Sequence, residues 1–169
     1  TVMGIMGCTA LLVACFSIKL GIKNASVEQF GTYSLYDYRL SVDTEAGSAN
    51  DFAALLDENG VENLLIQDKL KNFRGEGQDW NNAHVLAVSD AEAFRSFMYL
   101  KNIDGGEELT VPEEGVLISR KASEELGLEP GDYLGIMDEN GSEHGFEVAA
   151  VVESYLPYHT VIMSSSCYE

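Results

Sequence analysis

Basic residues are scarce: 10 lysines and arginines stand against 28 aspartates and glutamates in 169 residues, a formal net charge of -18. A surface this acidic repels phosphate backbones, which excludes nucleic-acid binding. Cysteine is sparse too. Cys8 and Cys15 lie in an apolar N-terminal run and only Cys167 lies in the polar part, so no disulfide pair is available there. Among the three histidines, His84, His144 and His159, no two stand four apart around a glutamate, so no helical zinc motif exists. There is no G-x-S-x-G elbow, no Gly-rich turn followed by a P-loop lysine, and no internal repeat or low-complexity segment. Nothing in this inventory points to an enzyme, a cofactor or a metal.

Charge is also missing from Thr1 to Ile18 (TVMGIMGCTALLVACFSI), a run of 18 uncharged residues. As a helix it is roughly 27 Å long, close to the hydrocarbon thickness of a bilayer. It therefore reads as a transmembrane helix, with Gly4 and Cys8, or Ala10 and Ala14, as small residues one turn apart that suit helix packing. A second reading takes Leu12-Val13-Ala14-Cys15 as a lipobox with Cys15 lipidated, making the chain a lipid-anchored extracellular binding module. No basic n-region precedes it, and Phe16-Ser17-Ile18 continues the apolar pattern. A third reading is a buried helix of a soluble protein, which would normally show a polar face. Lys19 and Lys23 follow the run, but the positive-inside rule compares two flanks, and orientation does not follow from one. Residues 24–169 carry 8 basic and 28 acidic side chains and belong in water.

The polar part, with 46% apolar residues in the whole chain, is rich enough to fold as one compact domain or two small subdomains. The apolar helix is expected to run on toward Gly31, because Ile18, Ile22, Val27 and Phe30 recur near helical spacing. Tyr36, Tyr38, Leu40 and Val42 alternate with polar residues, which predicts a strand. Ser48 or Asn50 should cap a helix bearing Phe52, Leu55 and Leu56, closed by Gly60, with a strand at Val61 to Ile66. Lys69 to Asn82, polar and rich in Gly and Asn, reads as a loop or subdomain junction, followed by a strand at His84 to Val88. Ser89 and Glu92 form an S-x-x-E capping box ahead of Phe94, Phe97 and Met98. Acidic Asp104 to Glu114 is a second loop.

Beyond it, Gly115 to Ile118 is a buried strand, Ser119 caps a short helix ended by Gly127, and Glu129-Pro130-Gly131-Asp132 turns into a strand at Tyr133 to Met137. Asn140-Gly141 marks a hairpin with Phe146 to Val152 returning. Thr160 to Met163 is a last strand, and Ser164 looks like the cap of a further helix. Asp138, Asn140 and Ser142 imitate the start of an EF-hand loop, but Glu143 stands where glycine is required. The acidic cluster Asp104, Glu107, Glu108, Glu113 and Glu114 reads as a solvated face.

The apolar helix, Gln29-Phe30-Gly31 leading into Tyr36-Asp37-Tyr38, the stretch Gly115 to Tyr133 (GVLISRKASEELGLEPGDY) and the hairpin ending in Val148-Ala149-Ala150-Val151-Val152 resemble the FtsX-like ABC transporter permease family. Its members carry a MacB-like extracytoplasmic core domain after the first membrane helix. The resemblance covers the whole chain and is strong over about a third of it; L-G-L-x-P-G-D also occurs in other small β-rich modules.

It implies an α+β fold: a transmembrane helix and its extension at 1–31, the first half of a mixed α/β subdomain at 32–80, and an inserted, more β-rich subdomain at 81–169, truncated at its C-terminal end. The second half and three further membrane helices would follow Glu169. It also implies a non-catalytic role in a bacterial cell membrane, with residues from about 32 onward outside. Implied partners are a cytoplasmic ABC ATPase subunit, a second permease copy or paralogue, and an extracellular protein, peptide or lipid substrate. Trp80, Tyr155 and Tyr158 are the aromatic residues placed for partner contacts.

Overall fold

The computed structural model describes residues 2–42, 49–154 and 159–168. It is an α+β chain in which a long apolar helix leads into a closed six-stranded barrel of mixed strand direction. Helix α1 (Val2–Glu28) runs without interruption into a π-helical turn at Gln29–Tyr33. No proline interrupts it, the first in the chain being Pro112. The strand expected at Tyr36 to Val42 does not form. Its alternation is present, but no neighbouring strand pairs with it among the described residues. Tyr38 stays 86% exposed and Leu40 63%. Helix α2 (Ala49–Glu58) ends at Gly60, whose φ of 70° is the left-handed conformation glycine supplies at a helix end. Asn50 lies inside this helix and does not cap it, and Ser48 falls outside the described residues.

The polar stretch expected as a loop is a strand. β1 (Ile66–Gly75) pairs antiparallel with β2 (Asn81–Val88), from Ile66 opposite Val88 to Phe73 opposite Asn81. The strand expected at 61–66 thus starts only at Ile66. β1 looks polar because it lies at the rim and outer face of the barrel, with Phe73 its one deeply buried large side chain. The boundary expected at 80/81 falls in the turn of this hairpin, so β1 belongs to the same closed sheet as the strands that follow.

Helix α3 (Ala91–Phe97) is capped by Asp90 and not by Ser89: the Asp90 carboxylate accepts from the amides of Glu92 and Ala93 at 3.0 and 2.9 Å. β3 (Val116–Ser119), α4 (Arg120–Leu126) with its Ser119 cap and its left-handed Gly127, β4 (Tyr133–Met137), β5 (Glu143–Val152) and β6 (Thr160–Ser164) match the spacing of turn residues. The returning strand starts three residues earlier than expected. A last turn, α5 (Ser165–Tyr168), follows Ser164, whose hydroxyl accepts from the Ser166 amide at 3.3 Å.

Around the barrel the order is β1-β2-β6-β3-β5-β4, closed by β4 pairing with β1, with β2/β6 and β3/β5 parallel. Closure leaves no free strand edge. Alternate side chains divide two cores. Inside lie Phe73, Val85, Val116, Ile118, Leu134, Ile136, Val148, Val161 and Met163, joined by Ala122 and Leu126, so α4 seals one end. On the outer face Leu86, Leu117, Ala150, Val152 and Ile162 pack beneath Phe94, Leu100 and Val111, so α3 and the chain after it form a lid over one side.

Candidate functional site at the joint between helix and barrel

The apolar helix from Met3 through Tyr33 is long and apolar enough to cross a membrane, and none of its most apolar stretch is buried against the rest of the chain. By length and composition such a surface suits the apolar interior of a bilayer. Leu11, Leu12, Val13 and Phe16 are all at least 60% exposed, and Cys8 and Cys15 are free thiols within the same stretch. The uncharged run takes about 27 Å, so Lys19 to Tyr33 extends roughly 22 Å further as a stalk.

At the end of the stalk three side chains turn inward. Gln29, Tyr33 and Ser34 are 2%, 4% and 7% exposed. The Ser34 amide donates to the Gln29 carbonyl at 2.8 Å, a five-residue closure that makes the π turn, and the Gln29 side-chain amide donates to the Ser34 hydroxyl at 3.2 Å. The wider turn faces both Gln29 and Tyr33 inward. Tyr33 stacks on Tyr99, with centroids 6.4 Å apart and planes 6° from parallel.

Ser34 bridges Met98 in antiparallel fashion; the Leu35 amide donates to the Phe97 carbonyl at 2.8 Å, and the Tyr99 amide to the Tyr33 carbonyl at 2.9 Å. The connection then continues to the barrel wall. The Glu153 amide donates to the Lys101 carbonyl at 2.8 Å, and Asn102 bridges Val152 at the end of β5. Glu153, 8% exposed, forms an ion pair with Arg120 at the start of α4. The helix end is thus joined through residues 98–102 to β5 by backbone hydrogen bonds, and from Glu153 to α4 by the Arg120 ion pair. Tyr33, Ser34, Tyr99 and Glu153 were marked by no sequence pattern, since Tyr33 and Ser34 meet residues about 65 positions away and Glu153 meets Arg120 33 positions away.

Charges elsewhere tie loops to the barrel. Arg95 holds the Glu108 carboxyl below its usual range from 2.9 Å, fastening the acidic loop to α3. Lys69 at 2.8 Å and Lys71 at 3.4 Å lower Glu139 on the β4–β5 turn, and Arg74 lowers Glu143. The Ser142 amide, then the His144 ring, lowers Asp138, so this carboxylate is a turn anchor. Trp80 is half-buried at the end of the β1–β2 turn, with the Arg74 guanidinium 4.4 Å over its ring. Tyr155 and Tyr158 lie outside the described residues, so the three aromatics expected at a partner surface are not seen together. Among the described residues no three His, Cys, Asp or Glu side chains converge as metal ligands. In comparison with known proteins, no family model matches the chain and no curated protein matches it.

Proposed function

We propose that the chain is the first membrane helix and extracytoplasmic domain of an ABC transporter permease subunit of the FtsX-like, MacB-like kind. It is non-catalytic, and it passes the ATPase-driven cycle of the membrane helices to an outer domain that exports, extracts or senses a substrate. The observation that carries the reading is the unbroken helix. It begins as a bare apolar rod of bilayer length and ends pinned by Tyr33, Ser34 and Leu35 to residues 97–99, the segment after α3 that leads to a closed acidic barrel. A flexible linker would serve a tether; a hydrogen-bonded joint serves transmission of movement. In this reading residues from about 32 onward lie outside a bacterial cell membrane, the ATPase is a separate cytoplasmic subunit, and a second permease copy or paralogue completes the assembly.

The test is isolation of the protein from its own membrane in mild detergent. A vanadate-sensitive ATPase of the ABC type should accompany it in fixed stoichiometry, and ATP addition should change proteolytic cleavage around residues 28–35. Recovery of the chain in the soluble fraction, or from membranes with no such ATPase, would overturn the proposal.

A further inference from the structure

Lys19 and Lys23 are the only charged side chains between Thr1 and Val27. Standing four residues apart on α1, they share one helix face, and both are exposed. Neither meets a carboxylate among the described residues, although the chain holds 28 acidic side chains. Cations on the barrel behave otherwise: Lys69 and Lys71 meet Glu139, Arg95 meets Glu108 and Lys121 meets Glu125.

Their height on the helix accounts for the difference. The uncharged run ends at Ile18, so Lys19 stands at the edge of the hydrocarbon and Lys23, about 6 Å further along, stands at headgroup level. Helical side chains lean toward the N-terminus, so both stems tilt back toward the bilayer and away from the barrel. The next charged residue, Glu28, lies five residues on and roughly 140° round the helix from Lys23. At the height of the two lysines the other faces present Leu20, Gly21, Ile22 and Asn24, none of them charged, so the attraction is one-sided.

We propose that Lys19 and Lys23 form a clasp for the phosphate of an anionic phospholipid, fixing the depth and rotation of α1 in the bilayer. The inference rests on the reading of α1 as a membrane helix but not on which side the barrel lies, since both leaflets offer a headgroup phosphate. A zwitterionic lipid carries its own cation beside that phosphate, so the net charge of the headgroup decides the preference. Residues 24–169, with 8 basic and 28 acidic side chains, repel an anionic leaflet as a body. The stalk from Lys19 to Tyr33 is roughly 22 Å long, more than twice the screening length of about 8 Å at physiological ionic strength. That repulsion is therefore largely screened where the lysines sit, while their own attraction acts at contact. Each lysine beside an anionic surface strengthens binding roughly fivefold.

The experiment titrates phosphatidylglycerol into the full chain held in neutral detergent micelles, following the backbone amide signals of residues 16–27 by NMR. Phosphatidylcholine and inorganic phosphate are titrated separately. Phosphatidylglycerol should bind at least about fivefold more tightly than phosphatidylcholine, with shifts centred on Lys19 and Lys23. The preference should shrink in about 1 M salt, where the screening length is about 3 Å. K19Q and K23Q should each weaken it about fivefold, and the double variant should bind the two lipids alike, with unchanged barrel signals verifying the fold. Equal binding of the two lipids by the wild type, or a preference that survives in the double variant, would overturn the proposal. Inorganic phosphate giving the same shifts at the same concentration would overturn the assignment to a lipid. A chain that stays in solution once detergent is removed would overturn the membrane reading itself, and the clasp with it.

Discussion

Replacing Tyr33 by Ala should uncouple the helix from the barrel without unfolding either. Tyr33 is 4% exposed, so its removal forfeits a buried aromatic ring, about 3–5 kcal/mol where the site does not collapse. Loss of the stack on Tyr99 accounts for about 1 kcal/mol of that. The remaining ties across the joint are the two backbone bonds flanking the Ser34–Met98 bridge, each worth about 1 kcal/mol. A joint that loses more than its remaining ties supply will populate undocked orientations. Double electron–electron resonance between labels at Ser26→Cys and Glu129→Cys, with Cys8, Cys15 and Cys167 replaced by serine, reads this directly. The parent should give one narrow distance distribution and Y33A a broad one. The barrel's urea midpoint should not move, because Tyr33 belongs to neither core cluster. An equally narrow distribution in Y33A, or a barrel that unfolds with it, would refute the reasoning.

Gly115→Ala should cost about 3 kcal/mol or more in chemical denaturation, since φ is +81° and the added Cβ would lie 2.7 Å from the Glu147 carbonyl oxygen on β5. A change under 1 kcal/mol would contradict the backbone geometry before β3. Arg74→Ala should shift the emission of Trp80, the chain's one tryptophan, while leaving the fold intact; unchanged fluorescence would deny the guanidinium contact. The carboxyls of Glu108, Glu125, Glu139, Glu143 and Asp138 are all held below their ordinary values. Their contribution to stability is complete above about pH 4.5 and is lost as pH falls through the lowered values, so acid should destabilise the barrel. E108Q should flatten that acid limb slightly, and an unchanged slope would count against the Arg95 pair. Labelling with a fatty acid should be the same in wild type and Cys15→Ser; labelling abolished by the substitution would favour the lipid-anchored reading.

The half of the fold after Gly115 was legible because glycines and caps punctuate it. Ser119, Gly127, Gly131 and Asn140-Gly141 each force a backbone turn, and short buried runs between them have little choice but to be strands. The first half was not legible for two reasons. In β1, Lys69, Lys71 and Arg74 are a strand's polar residues that reach Glu139 and Glu143 about 70 positions away, so local polarity imitated a loop. From Tyr36 to Val42 the opposite occurred: the alternation is genuine, but a strand needs a partner, and none lies beside it among the described residues. Cap selection erred by one position, Asp90 for Ser89, because both residue types cap well and only the chain's entry angle separates them. The helix was visible from its lack of charge, whereas the joint was not. Tyr33 meets Tyr99 only after α3 and the outer core have placed residues 98–102, a consequence of packing that no local spacing carries.

The central claim is that α1 lies in a bilayer with the barrel on its outer side. It is tested most directly by thiol labelling in intact cells of a Glu129→Cys variant lacking the native cysteines, followed by carbonate extraction. A membrane-impermeant maleimide should modify residue 129 before lysis, and the labelled chain should stay in the carbonate-washed membrane. Labelling only after lysis, or release of the chain into the supernatant, would contradict it.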